Sequence, residues 1–261
     1  MNGALWVSKT GLSAQDTALR MVSNNLANVS TVGFKRDRGV FEDLLYQVNR
    51  QPGGLSTQAS ELPSGLQLGT GVRTAGSQKI FTQGTLQVTE QSLDLAINGR
   101  GFFQVLLADG SIGYTRNGQL HMNANGDMVT ADGRLLEPAI TIPENARTVT
   151  IGDDGTVSAM LASDTSPTVL GNIQLADFVN PGGLEAMGDN LFRETGASGP
   201  AQVGTPGLDG LGVVRQGALE NSNVSVVEEL VNMITTQRAY EMNSKVISTA
   251  DEMLGYVNQT L

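Results

Sequence analysis

The sequence predicts an α+β fold: long N- and C-terminal helices, paired as a coiled coil, on either side of a central and mostly antiparallel β domain. Three observations lead there. Apolar residues recur every seven positions near both ends. Asx-Gly dipeptides recur every seven or eight residues in the middle. The composition is rich in Gly, at 32, and poor in aromatics, at 5%.

In the N-terminal stretch Leu5, Leu12, Leu19 and Leu26 form a heptad row. Ala18, Met21 and Val22 widen the stripe, and Gln15, Asp16 and Arg20 lie off it, which is a helical period with one apolar face. A helix over residues 1–34 is predicted. Gly33 is read as its stop, because the residue just past a helix often needs φ > 0. The basic cluster Lys35, Arg36 and Arg38 is read as a solvated helix end. In the C-terminal stretch Val226, Met233, Tyr240, Ile247, Leu254 and Leu261 form an unbroken heptad row. Ser225 and Glu228 fit a capping box, in which the Ser oxygen accepts from the N3 amide and the Glu reaches back. A helix of about 35 residues is about 50 Å long, longer than most globular helices, and this favours a coiled coil.

The middle reads as antiparallel strands. Asp109-Gly110, Asn117-Gly118, Asn125-Gly126 and Asp132-Gly133 punctuate short β-prone runs, and Asp154-Gly155 continues the series. Such dipeptides suit tight hairpins in which both central residues take φ > 0. The predicted division is 1–34 for an N-terminal assembly helix, 35–84 for a linker, 85–218 for the β domain and 219–261 for a C-terminal assembly helix. Residues 49–78 and 196–217 show no period and read as flexible linkers by composition.

Several function classes are disfavoured. The formal charge is -10, and residues 80–220 carry all of it, with 16 acids against 6 bases. A nucleic-acid binder would show a basic footprint. No run approaches the ~20 apolar residues that span a bilayer, so no membrane insertion is expected. The first 30 residues lack a signal-peptide pattern. There is no Cys, hence no disulfide or Cys-based metal site. His121, the one histidine, lies in a strand-like run with no triad partner in view. Asn123, Asn125, Gly126 and Asp127 resemble a calcium loop, but no closing Glu follows, so a hairpin turn is the reading. Gly99-Arg100-Gly101 lacks the third glycine of a dinucleotide site. Asn28-Val29-Ser30 and Asn223-Val224-Ser225 read as polar caps at helix ends. No enzyme, cofactor or metal site is expected.

The terminal helices pose an energetic problem. Ordering about 60 residues costs roughly 1–2 kcal/mol each in backbone entropy. Two apolar stripes that meet only each other cover one side apiece. Folding coupled to assembly follows, with helix packing inside a single monomer as the alternative.

Ser23-Asn24-Asn25-Leu26-Ala27-Asn28-Val29-Ser30-Thr31-Val32-Gly33-Phe34-Lys35 resembles the "NNLANxxTxGFK" signature of the flagellar basal-body rod and hook family, with Asn24, Asn25, Leu26, Asn28, Gly33 and Phe34 on its marked positions. Asn98-Gly99-Arg100-Gly101-Phe102-Phe103, the run 229–234 and the run 237–241 resemble it too. The length and the segments 40–46 and 62–72 are most similar to the distal-rod members; a hook protein or another rod protein is the alternative. The resemblance implies a structural subunit of a tubular drive shaft that transmits torque from motor to hook, a helical homopolymer exported without a cleaved signal by the flagellar type III apparatus. It implies a location from periplasm to outer membrane and, as partners, proximal rod proteins, hook protein, a rod cap and the P and L rings. It also implies that residues 35–84 hold an extended arm between subunits, with Pro52, Leu55, Leu62, Pro63 and Leu66 in it.

Overall fold

The computed structural model describes residues 3–260 apart from 52, 54, 58–59, 62–63 and 163–165. The heptad rows become helices α1 (Gly3–Ala27) and α2 (Val226–Thr260). Ser225 caps α2, its Oγ accepting from the Glu228 N–H at 3.5 Å and its carbonyl from the Glu229 N–H at 3.0 Å. At the other end α1 stops at Ala27, well before Gly33. Gly33 has φ +71°, yet it is not the residue after the helix. It belongs to a turn-rich connector, and its N–H donates to the Glu220 carbonyl at 2.7 Å. A Cβ there would lie 2.7 Å from the Asn117 nitrogen, so close backbone approach selects glycine.

The chain divides into two units. The first comprises Met1–Leu26, Asp37–Gln78 and Ser225–Leu261. In it the two helices meet at Gly11, where a side chain would come within 3.1 Å of the Asn243 amide. Between them in sequence runs a two-stranded ribbon. Strands β1 (Asp37–Asp43) and β2 (Tyr46–Arg50) lead out, and β3 (Leu55–Thr57) and β4 (Ser60–Glu61) pair near the tip. Strands β5 (Leu66–Gly69) and β6 (Val72–Lys79) lead back. β2 pairs antiparallel with β5 and β1 pairs with β6. The ribbon meets α1 through the Val72 N–H, which reaches Thr10 Oγ1 at 3.3 Å. The stretch 49–78, aperiodic in sequence, is thus paired strand over much of its length. Apolar and polar residues alternate within each strand, but only briefly: Tyr46 and Val48 share one face of the ribbon and Leu66 and Leu68 the other.

The second unit comprises Ala27–Arg36 and Lys79–Val224. Strands β7 (Leu86–Val88) and β8 (Leu95–Asn98) pair with the late strands β22 (Ala218–Glu220) and β21 (Val213–Gln216), so the two ends of this unit are stitched together. Between them, β9 (Phe102–Leu106) and β10 (Ile112–Thr115) centre a seven-stranded sheet. It also holds β13 (Leu136–Glu137), β17 (Leu175–Asp177), β18 (Glu185–Gly188), β19 (Leu191–Arg193) and β20 (Gln202–Gly204). β11 (Leu120–Met122) and β12 (Met128–Thr130) form a hairpin, and β14 (Ala146–Ile151), β15 (Thr156–Leu161) and β16 (Thr168–Asn172) a three-stranded sheet. Leu95, Ile97, Phe103, Val105 and Val214 are fully buried in the main core. A second cluster stacks Phe102, Tyr114, Phe178 and Phe192 with Phe81, edge to face, with ring centres 4.8–6.1 Å apart in each contact. Such geometry adds ~0.5–1.5 kcal/mol per pair beyond area. The stretch 196–217 is not a linker: it carries β20 and β21.

The turns correct the sequence reading in kind. At Gly110, Gly126, Gly133 and Gly155 φ is positive, but the preceding Asx residues keep negative φ. The hydrogen bonds Leu107 N–H to Ser111 O and Gly110 N–H to Leu107 O recur in the other three turns. These are three-residue loops, a type I turn closed by glycine in αL, rather than two-residue type I′ turns. The type I′ geometry falls instead at Asp189-Asn190, with φ 52° and 58°, between β18 and β19. Asn117-Gly118 is no hairpin: a Cβ on Gly118 would lie 1.7 Å from the Leu95 carbonyl oxygen, whose strand hydrogen-bonds to it. Gly118→Ala is therefore expected to destabilise the second unit by about 3 kcal/mol or more. Gly110→Ala, with φ +81° and open space around it, should cost about 1–2 kcal/mol. Urea unfolding of the two variants measures the difference.

Candidate functional site: a buried clasp and two uncovered helices

Lys35, at the end of the signature-like run, is not a solvated helix end. Its side chain is 0% exposed, as is that of Glu220, and the ammonium sits 2.5 Å from Glu220 Oε1. It also donates to the Thr82 carbonyl at 2.9 Å. Glu220 Oε1 further accepts the Gly84 N–H at 2.9 Å, and its Oε2 lies 3.3 Å from Arg116 Nη1. Arg116, 4% exposed, gives its Nη2 to the Gly99 carbonyl at 2.8 Å. Its Nε has no acceptor among the described residues, while the guanidinium carbon lies 5.3 Å from the centre of the Phe102 ring, within cation–π range. Burial pushes the Lys35 ammonium below the ordinary lysine value against the upward pull of Glu220, and burial lowers Arg116 too, again opposed by Glu220.

Around this cluster the other signature residues find physical reasons. Asn25 is buried and presents its amide as a strand partner to Asp37, accepting the Asp37 N–H at 2.8 Å and donating to its carbonyl at 2.9 Å. Asn24 reaches the Asp37 carboxylate at 3.4 Å. Asn28 accepts from the Thr31 hydroxyl at 3.1 Å and holds the first turn of the connector. Phe34 is buried with the Lys79 ammonium 4.9 Å from its ring centre. Asn223, read from sequence as a helix cap, is a tie: its Oδ1 accepts the Arg36 N–H at 2.8 Å and its Nδ2 donates to the Ile80 carbonyl at 2.8 Å.

The heptad rows are not closed cores. Leu5, Leu12, Leu19 and Leu26 in α1, and Met233 and Ile247 in α2, are half-buried. Val226, Tyr240 and Leu254 are exposed. The buried helix positions are small or polar: Ser8, Ala14, Glu229 and Ala250 join Asn25. Off the row, Val227, Val231, Met242 and Met253 are each more than half exposed, at 73%, 54%, 64% and 57%. On the ribbon Leu45 is 89% exposed, and Val48 and Leu66 are exposed too. Leu55 is placed in β3. Pro52, Leu62, Pro63 and Leu261 lie outside the described residues. His121 faces solvent opposite Val129. Asn123 and Asp127 spend their polar atoms on the hairpin turn and on Thr141. Among the described residues no group of three or more acidic or His side chains could hold a metal, and no helix is long and apolar enough to cross a membrane.

Three family models match the chain: "Flagella basal body rod protein" over residues 5–35, "Flagellar hook protein FlgE/F/G D1 domain" over 96–159 and "Flagellar basal body rod FlgEFG protein C-terminal" over 215–260. Each matched segment contributes one member of the buried cluster: Lys35, Arg116 and Glu220. The three matched segments mark a flagellar rod and hook type of protein. The chain is 55% identical over 256 residues to the flagellar basal-body rod protein FlgG of Buchnera aphidicola subsp. Acyrthosiphon pisum, across 98% of both chains. It is 48% identical to that of Caulobacter vibrioides across 98% of both, and 37% identical to that of Bacillus subtilis across 96% of both. The chain belongs to the FlgG family of flagellar basal-body rod proteins.

The clasp holds two cations to one anion, which ranks its substitutions. Glu220→Gln leaves Lys35 and Arg116 buried without an anion and is expected to cost about 3–5 kcal/mol. Lys35→Met leaves a one-to-one pair and should cost clearly less. Thermal unfolding of both variants decides, and equal losses would contradict the arrangement.

Proposed function

We propose that this chain is the structural subunit of the distal rod, polymerising with copies of itself into the tubular shaft that carries torque from motor to hook, with no catalytic role. The observation that carries the reading is the contrast between the units. One encloses its apolar side chains in a core, and the other leaves them along both terminal helices and the ribbon. Contiguous exposed apolar surface of this kind marks an interaction site. Membership of the FlgG family supports the same reading.

The helices are proposed to pair antiparallel, as a coiled coil completed by neighbouring copies. Parallel helices meeting at Gly11 and Asn243 would set Ala27 and Val226 about 50 Å apart at 1.5 Å per residue. The links from these ends to the Gly33–Glu220 hydrogen bond reach together roughly 45 Å even when fully extended, and the first of them is folded into turns. Antiparallel helices bring the two ends side by side. In the polymer the assembly positions are the two heptad rows, from Leu5 to Leu26 and from Val226 to Leu261. The ribbon acts as the arm, its Leu45, Val48 and Leu66 covered by an adjacent copy, which restrains sliding between subunits. Proximal rod proteins, hook protein, a rod cap and the P and L rings are the proposed further partners. The proposed location runs from periplasm to outer membrane, reached by flagellar type III export.

Electron microscopy of polymers grown from the purified chain tests this. Straight, stiff tubes are expected from the intact chain. Removing residues 46–69 should leave polymer that is measurably more curved. Ile247→Asp, which sets an unpaired charge in the helical seam at a cost of several kcal/mol, should abolish polymer. An intact chain that stays monomeric at all concentrations would contradict the function, and equally straight tubes from the deletion would contradict the role of the ribbon.

A further inference from the structure

The β unit has an apolar groove that its own side chains leave open. It measures about 390 Å³, with Leu93, Met122, Ile142, Pro143, Ala146 and Val149 in its walls. Leu93, Ala146 and Val149 pack on the main core from outside and are only half-buried, so a side chain seated on them would extend that core. Met122 is 53% exposed. The rim carries Arg147 and Glu144, both exposed and neither with an ion partner among the described residues.

The same unit presents a side chain that fits. Between β20 and β21 the chain makes a tight loop, closed by the Gly207 N–H to the Gly212 carbonyl at 3.0 Å and the Leu211 N–H to the Leu208 carbonyl at 2.9 Å. Gly207, Asp209 and Gly210 take left-handed φ of 81°, 52° and 80°, a region uncommon for a residue other than glycine. The loop holds Leu208 60% exposed, and beside it Asp209 is exposed with no ion partner among the described residues. Apart from Met122, the described large apolar side chains of this unit that are more than half exposed are Val88, Val169, Val179 and Leu208. Val88 and Val169 lie within strands, and the acid near Val179, Asp177, is already paired with Arg100. Of the four, only Leu208 stands on a turn beside an unpaired acid. Loop and groove lie at opposite ends of one strand pair. The loop adjoins the Val213–Asn98 end of β21 and β8, where the Gly212 N–H donates to the Arg100 carbonyl at 2.7 Å. The groove adjoins the Gln216–Leu95 end, where the Gln216 amide donates to the Ser92 and Val149 carbonyls at 2.7 and 3.0 Å. Leu208 therefore cannot fill the groove of its own unit.

We propose that Leu208 of one copy seats in the β-unit groove of a second copy, against Leu93, Met122 and Val149, with Asp209 facing Arg147. The proposal rests on the polymer reading and names one of its contacts. Opposite charges across a contact fix its register more than they add affinity. Glu144 would repel Asp209 in the alternative seating, so the two rim charges select one register. Loop and groove are different surfaces at opposite ends of the unit. The contact is therefore heterologous and repeats from copy to copy, as a helical filament requires, instead of closing a dimer.

Because the chain has no cysteine, cross-linking of the full-length protein tests the contact directly. A chain carrying Leu208→Cys and Met122→Cys, polymerised and then oxidised with diamide, should give a ladder of disulfide-linked multimers. Either substitution alone, or Leu208→Cys with Val169→Cys, should stop at dimers. Polymer without the ladder, or an equal ladder from the Val169 control, would overturn the contact while the proposed function stands. An intact chain that never polymerises would overturn both. A second arm reads the critical concentration for polymerisation. Leu208→Glu and Met122→Glu alter exposed positions and should each raise it at least tenfold; unchanged values would count against the contact. Asp209→Lys alone should raise it at least threefold, and adding Arg147→Asp to the same chain should restore it. Glu144→Gln should not raise it. No restoration, or weakening by Glu144→Gln, would overturn the pairing of Asp209 with Arg147.

Discussion

The structure depends on one carboxylate. Glu220, fully buried on β22, takes the Lys35 ammonium, the Gly84 N–H and the Arg116 guanidinium. Those groups come from the segment that follows α1, the segment that enters the β domain and a loop at the end of β10. Taking three charges out of water costs several kcal/mol per ion; the backbone carbonyls of Thr82 and Gly99 offset part of this, and Arg116 Nε is left without an acceptor among the described residues. A shifted register would leave one of these charges buried without its partner, at a cost of several kcal/mol. The consequence of the cluster is that residues 33–36 and 220–223 are tied to each other, so the chain enters the β domain after α1 and leaves it before α2 at one place.

Apolar burial is divided unequally from that point. In the β unit eighteen Val, Leu, Ile and Met side chains and six of the aromatic rings are below a tenth exposed. Burying each is worth ~1.5–3 kcal/mol, and this sets against the entropy of a long, turn-rich chain. The helical unit has no comparable interior. Its helices come together at Gly11 and Asn243, their buried positions are small or polar, and many of their Val, Met and Leu side chains stay exposed. Long helices gain most of their stability from packing of an apolar face rather than from propensity. On the polymer reading, the missing packing comes from other copies.

What the sequence made legible follows the physics of range. Heptad periodicity is local, so both helices and the Ser225 cap could be read to within a few residues at α2. The positions of the glycine turns at 110, 126, 133 and 155 were legible, but their geometry was not, because Asx-Gly serves type I′ turns and glycine-closed three-residue loops alike. Asp189-Asn190 carried a weaker signal, the tolerance of both residues for αL. Gly118 looked like the other turn glycines, since only a tertiary approach by Leu95 distinguishes it. Lys35 was misread for the same reason: its partner is 185 residues away, and a lysine in a basic run gives no local hint of burial. The end of α1 was placed seven residues late, as the connector carries apolar Val29, Val32 and Phe34 that continue a helical look. The ribbon's alternation was too brief to read, since Tyr46-Gln47-Val48 and Leu66-Gln67-Leu68 span three residues each.

The central claim is that the β unit is stable by itself, while the terminal helices owe their stability to assembly. Backbone hydrogen exchange, measured on the same chain as dilute monomer and as polymer, tests it most directly. The account predicts that amides across residues 230–256 exchange rapidly in the monomer and slow by at least a hundredfold, about 2.7 kcal/mol of opening free energy at RT ≈ 0.59 kcal/mol, in the polymer. Those of β8, β9 and β21 should be equally protected in both. Strong and unchanged protection of α2 in the monomer would contradict it.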